Sequence, residues 1–137
     1  MSEVPTFETE RLLLRELVEA DAPAYERYFV DYEVIRHLAG SVPWPYPDDG
    51  VTNYIRSDII PEQGRERWVW AITRKENPSE LIGVIELMRK ANPTNRGFWL
   101  GTPFWGRGYM TEATSFVFTG NNCRSRWPIL VEARRIR

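Results

Sequence analysis

The stretch Arg96–Ala113, RGFWLGTPFWGRGYMTEA, leaves few folds open to this chain. Its first part, Gly97-Phe98-Trp99-Leu100, is short, apolar and aromatic, which predicts a buried strand. A tight connection from Gly101 to Trp105 leads into Gly106-Arg107-Gly108, and from Tyr109 the period changes. Tyr109, Ala113, Phe116 and Val117 fall at i, i+4, i+7 and i+8, one face of a helix. A strand that runs through glycines into a helix presents unpaired backbone N–H groups where the helix dipole also favours negative charge. Glycines at 106 and 108 remove the Cβ atoms that would hold a phosphate away from those amides. The same pair would also serve an ordinary strand-to-helix turn, so spacing alone leaves both readings open. No Lys-Ser/Thr pair follows the second glycine, and Thr111 stands where the dinucleotide fingerprint needs a third.

With 137 residues the chain has room for one domain with a sizeable core, and a single domain over 1–137 is expected. A hydrophobic content of 42% with six tryptophans argues for a folded globule rather than disorder. The formal charge of −1 gives no reason to expect nucleic acid or a membrane surface as partner. No apolar run approaches the roughly 20 residues of a membrane span and no signal peptide opens the chain, so a cytoplasmic location is expected. The single Cys123 excludes an internal disulfide framework, and one His with one Cys leaves no metal cluster to expect.

Elsewhere the pattern predicts a half-buried strand over 11–17 and a helix over about 22–29 capped by Asp21. Asp31 can cap a second short helix carrying Val34, Ile35 and Leu38 and ended by Gly40. Ser41–Pro47, SVPWPYP, is stiff, extended and rich in aromatic surface: a connector tucking Trp44 into the core or, less favoured without PxxP spacing, a Pro-rich ligand for another domain. A third helix over about 51–59, capped by Asp48 or Asp49, turns Val51, Tyr54, Ile55 and Ile59 inward. Strands follow over 67–73 and 81–88 as an antiparallel pair. After Gly120, residues 127–133 are a further candidate strand.

Gly101-x-x-x-Trp105-Gly106-x-Gly108-Tyr109-x-Thr111-Glu112-Ala113 resembles the acetyl-CoA-binding motif of the GNAT acyltransferases. Glu8–Arg15, Asp31–Arg36 and Leu81–Ile85 match in order the branch containing the ribosomal-protein N-terminal acetyltransferases, so the resemblance covers about residues 8–120. It implies a GNAT fold, an α/β mixed and mostly antiparallel sheet with flanking helices, here stopping after the fourth or fifth strand. It also implies acetyl transfer from acetyl-CoA to a primary amine, with a protein N-terminal α-amine favoured over a polyamine or other small amine.

The resemblance assigns the pyrophosphate to the amides of Gly106, Arg107, Gly108, Tyr109 and Met110. The thioester then falls along Trp99, Leu100 and Gly101, with a backbone N–H of Leu100 or Gly101 as oxyanion donor. The same resemblance would make Trp44 and Tyr46 a wall of the acceptor pocket. Asn95 stands where many members carry a glutamate and cannot act as a base. Glu86, which interrupts an apolar strand, is either a buried carboxylate able to take a proton or a solvent-facing one. Glu112 fits a helix-dipole partner better than a catalytic acid. His37 and Cys123 carry no evident chemistry. Members of the family continue with another helix and two strands, which supply a CoA-side asparagine and a thiolate-protonating hydroxyl; no positions here match them. An open sheet edge would then be covered by a second copy of the chain, the favoured reading, or else go with a marginally stable domain or a fragment; a CoA-binding or dimerising domain without turnover is the competing reading of function.

Overall fold

The computed structural model describes residues 4–36, 38, 42–88 and 96–119. Five strands form one sheet in sequence order: β1 (Phe7–Glu8), β2 (Leu12–Glu16), β3 (Arg67–Arg74), β4 (Gly83–Met88) and β5 (Arg96–Leu100). Every pairing between these strands is antiparallel. Four of these strands match the expected runs. β1 is only two residues long, too short to alternate, and went unexpected. His37, Gly40, Asn95, Cys123, the stop at Gly120 and the candidate strand over 127–133 lie outside the described residues.

Strand periodicity divides the core into two layers. Trp68, Trp70 and Ile72 of β3, with Ile85 and Leu87 of β4, face helix α4 (Tyr109–Thr119), which buries Ala113 and Val117 against them. The side chain of Phe116, assigned to the same helix face by its spacing, is outside the described set. Val69 and Ala71 of β3, Val84 of β4 and Trp99 of β5 face the opposite layer. That layer is α1 (Ala22–Phe29), α2 (Tyr32–Ile35) and α3 (Gly50–Tyr54). β3 is thus buried on both sides, which explains its nearly continuous apolar run.

Two caps differ from expectation: Asp49 stands at the N-cap of α3 without a side-chain cap bond, and Asp21 is engaged elsewhere. Asp21 does not cap α1 with its side chain. It is buried, accepts the Val18 N–H at 2.9 Å, and receives both terminal nitrogens of Arg15 at 3.0 and 2.8 Å, so it closes the 3-10 turn before the helix. Asp31 does cap α2, accepting the Glu33 N–H at 3.0 Å. The expected third helix is α3 followed by a wider π turn over Ile55–Ile59, then a 3-10 turn containing Pro61. Proline has no N–H for the carbonyl four residues back, so regular α-helix cannot continue through it.

Candidate active site

β5 is one of the two edge strands of the described sheet, paired along its length with β4. The Gly101 N–H donates to the Ile82 carbonyl at 2.9 Å. By strand alternation the Trp99 amide also turns toward β4, and the Leu100 amide toward the open side. The Leu100 carbonyl, on that same side, accepts a bond from the Trp105 indole Nε1 at 2.7 Å.

The loop then reaches Gly106 and Gly108, with φ of +77° and +79°. This is left-handed backbone, strained for any residue with a Cβ. A Cβ on Gly106 would meet nothing within 4 Å, so conformation, and not crowding, calls for glycine there. α4 starts immediately, its Glu112 N–H bonded to the Gly108 carbonyl at 3.0 Å. The amides of Tyr109, Met110 and Thr111 come before the first helical bond and have no intrahelical acceptor. They edge a cavity of about 510 Å³ bounded also by Leu100, Trp105 and Gly106. Arg107, between the two glycines, is exposed and is not among the residues that bound this cavity.

The helix start is anchored from across the sheet. Glu112 accepts bonds from the Thr9 hydroxyl at 2.5 Å and from the Arg11 amide and Nε at 2.8 Å each. The Arg11 guanidinium also lies over the Tyr109 ring, 4.5 Å from its centroid. Partial burial alone would raise the Glu112 pKa, but the Thr9 and Arg11 hydrogen bonds and the Arg11 charge hold it below the usual carboxylate value. A carboxylate so engaged is a fastener between the β1–β2 turn and the glycine loop.

On the α1–α3 side of β5 lies a second cavity of about 400 Å³, bounded by Tyr25, Tyr46, Tyr54, Glu86, Gly97 and Trp99 among others. It meets the first at Phe98 and Trp99, which border both. Trp99 packs against Tyr25 and Phe29 with centroid separations of 5.1 and 5.2 Å, and Phe29 continues the stack to Tyr46 at 5.4 Å. The Tyr25 hydroxyl lies near enough to the Trp99 indole N–H to feel it, yet the buried N–H makes no hydrogen bond.

Glu86 faces this cavity from β4 and is not on the solvent side. Its Oε2 accepts from Arg67 Nη1 at 2.8 Å, with both side chains about nine-tenths buried. Arg67 also pairs with Glu62 at 3.0 Å and donates to the Tyr54 hydroxyl at 3.0 Å. Burial pushes the Glu86 pKa up, Arg67 pulls it back, and Asp58 and Glu62 push it up further; the net direction is upward. Burial likewise raises the phenols of Tyr25 and Tyr54.

The structure therefore brings Trp99, Leu100, Gly106, Gly108, Tyr109 and Met110 to one cavity, and Glu86 and Tyr46 to its neighbour. Gly101 contributes no free amide, since Ile82 takes it. Trp44 is neither core nor pocket wall: it stands exposed, its ring against Tyr32 at 5.5 Å. Sequence reasoning missed Arg67, Tyr25 and Tyr54. The tyrosines read as ordinary helix faces, and Arg67 finds Glu86 only through the β3–β4 pairing. Among the described residues no His, Cys, Asp and Glu group is arranged to hold a metal, and no helix is long and apolar enough to cross a membrane.

Several solved structures share this fold. A candidate acetyltransferase from T. thermophilus is 26% identical with a TM-score of 0.63, matching 95% of this chain and 64% of its own length. This chain thus spans less than two thirds of that protein. A candidate ribosomal-protein-serine acetyltransferase from Vibrio cholerae gives a TM-score of 0.65 at 18% identity, over 94% of this chain and 72% of its own. RimL, a ribosomal L7/L12 alpha-N-protein acetyltransferase solved with coenzyme A, gives 0.58 at 20% identity, over 85% of this chain and 68% of its own. No curated protein matches in direct sequence comparison. The acetyltransferase (GNAT) domain model matches residues 11–120, from the start of β2 through α4, the segment that carries both cavities; the chain belongs to the GNAT acetyltransferase family.

Proposed function

We propose that the chain transfers an acetyl group from acetyl-CoA to a primary amine, with a peptide α-amine as the favoured acceptor. The observation that carries this reading is the meeting of two unlike cavities on β5. One is edged by the unpaired amides of the glycine loop and α4; the other is aromatic and holds a buried carboxylate. The left-handed Gly106 and Gly108 and the free amides of Tyr109 and Met110 suit a pyrophosphate. Arg107, exposed beside them, adds a positive side chain at the rim. That RimL was solved with coenzyme A, and acts on a protein N-terminus, supports the same ligand and acceptor here.

When bound, acetyl-CoA would supply the thioester carbon that an amine attacks; the C–N bond would form as the C–S bond breaks, and CoA would leave as a thiolate that takes its proton from water. The chain's own residues prepare that attack. Glu86, with its raised pKa, takes one proton from the incoming ammonium and leaves a neutral nitrogen with a free electron pair. Arg67 holds the carboxylate in place through Oε2. The Leu100 N–H, directed at the open side, is the donor toward oxygen developing negative charge; Gly101, bonded to Ile82, is not. Trp99 borders both cavities and so stands where the two reactants would meet.

The test is release of CoA thiol from acetyl-CoA in the presence of short peptides with free or blocked N-termini. Release that needs both the chain and a free α-amine supports the proposal. Binding of acetyl-CoA without release for any amine would favour the competing reading of a CoA-binding domain without turnover.

A further inference from the structure

Gly97 has no conformational reason to be glycine. Its φ is not in the left-handed region, and a Cβ built there meets nothing within 4 Å. Glycine weakens a strand interior, so its presence in the middle of β5 needs another account. The register supplies one. Gly97 is the direct partner of Glu86, on the face shared by Trp99, and the two residues border the second cavity together. A side chain at 97 would project into that cavity and take up part of its volume.

The rest of the lining tells what that space accepts. Glu86 is the only charged side chain among the described lining residues, and Arg67 already engages one of its oxygens. Around it stand Tyr25, Tyr46, Tyr54, Phe29 and Trp99, with aliphatic neighbours beyond. A single carboxylate can receive a single ammonium; a polyamine would leave further cations facing apolar walls, at a steep desolvation penalty. The volume of about 400 Å³ exceeds the needs of an amine head alone and suits one with a large apolar body. Aromatic faces add cation–π attraction near the head and apolar contact beyond it.

We propose that this cavity selects primary monoamines flanked by an aromatic or large aliphatic group, and that the missing side chain at Gly97 sets its size. The chemistry is shared by free arylalkylamines and by peptides with a large apolar first residue. The proposal rests on the acetyl-transfer reading above, but its binding arm stands apart from turnover.

Four acceptors separate the possibilities: phenethylamine, a peptide beginning with Phe, a peptide beginning with Ser, and spermidine. The parent chain is expected to acetylate the better of the first two at least tenfold faster, in kcat/KM, than the last two. The better of those two identifies the source. Gly97→Val should lose tenfold or more on them and much less on ethylamine, with Gly97→Ala between; circular dichroism checks that each variant folds. Equal or faster turnover of spermidine or the Ser peptide would overturn the selectivity while leaving acetyl transfer intact. If no amine turns over, calorimetry with phenethylamine on the CoA-saturated chain decides: binding weakened by Gly97→Val sustains the pocket, and no binding by the parent overturns it.

Discussion

Glu86 on β4 and Gly97 on β5 are register partners that border one cavity, the first with a buried carboxylate and the second with no side chain at all. That pairing gives the acceptor side of the site its charge and its room at once, and it lies next along the same strand face to Trp99, the boundary with the other cavity.

If Glu86 accepts the proton, kcat/KM should rise with pH through a value above the ordinary glutamate pKa of about 4.3. Glu86→Gln should lower kcat/KM by about 10²–10⁴ and remove that limb of the profile. Stability carries the same sign information. A folded pKa above the unfolded one means that Glu86 contributes most below its unfolded pKa, and that this contribution is lost as pH rises through the folded pKa. The melting temperature of the parent, relative to Glu86→Gln, should therefore fall from acid toward neutral pH.

Glu112 should behave in the opposite sense. Its folded pKa is depressed, so its contribution is present above the unfolded pKa and is lost as pH falls through the folded one. Glu112→Gln should cost about 1–3 kcal/mol at neutral pH, the range for hydrogen bonds to a charged group, and little in strong acid. Thermal melts across pH check this. A variant no less stable than the parent at neutral pH would remove the fastener role.

Gly108→Ala forces a Cβ into left-handed backbone, a strain of about 1–2 kcal/mol, and adds bulk beside the α4 amides. CoA affinity is expected to drop at least tenfold, measured by calorimetry. Unchanged affinity would mean that the ligand does not use this loop.

The two aromatic residues of the proline-rich segment should separate. Tyr46 borders the second cavity and Trp44 does not. Tyr46→Ala should raise the acceptor KM severalfold, while Trp44→Ala should leave it within about twofold.

The motif that organises the chain was legible because its residues are contiguous: the β5 run, the two glycines and the helix period lie within 18 positions. The central strand was legible too, since β3 is buried on both faces and reads apolar throughout. What sequence alone hid depends on tertiary pairing. Glu86 could be read as base or as surface because its setting comes from Arg67 on a neighbouring strand and tyrosines from two helices. Glu112 looked like a helix-dipole residue, whereas its partners Thr9 and Arg11 lie about a hundred positions earlier. The choice between Leu100 and Gly101 turned on which amide Ile82 occupies, a matter of register that composition does not carry.

The most direct test of the account is calorimetric titration of acetyl-CoA into the 137-residue chain, alongside Gly108→Ala. The account predicts one site of micromolar affinity in the parent, weakened at least tenfold in the variant. A parent chain that is folded by circular dichroism and binds no acetyl-CoA would contradict it.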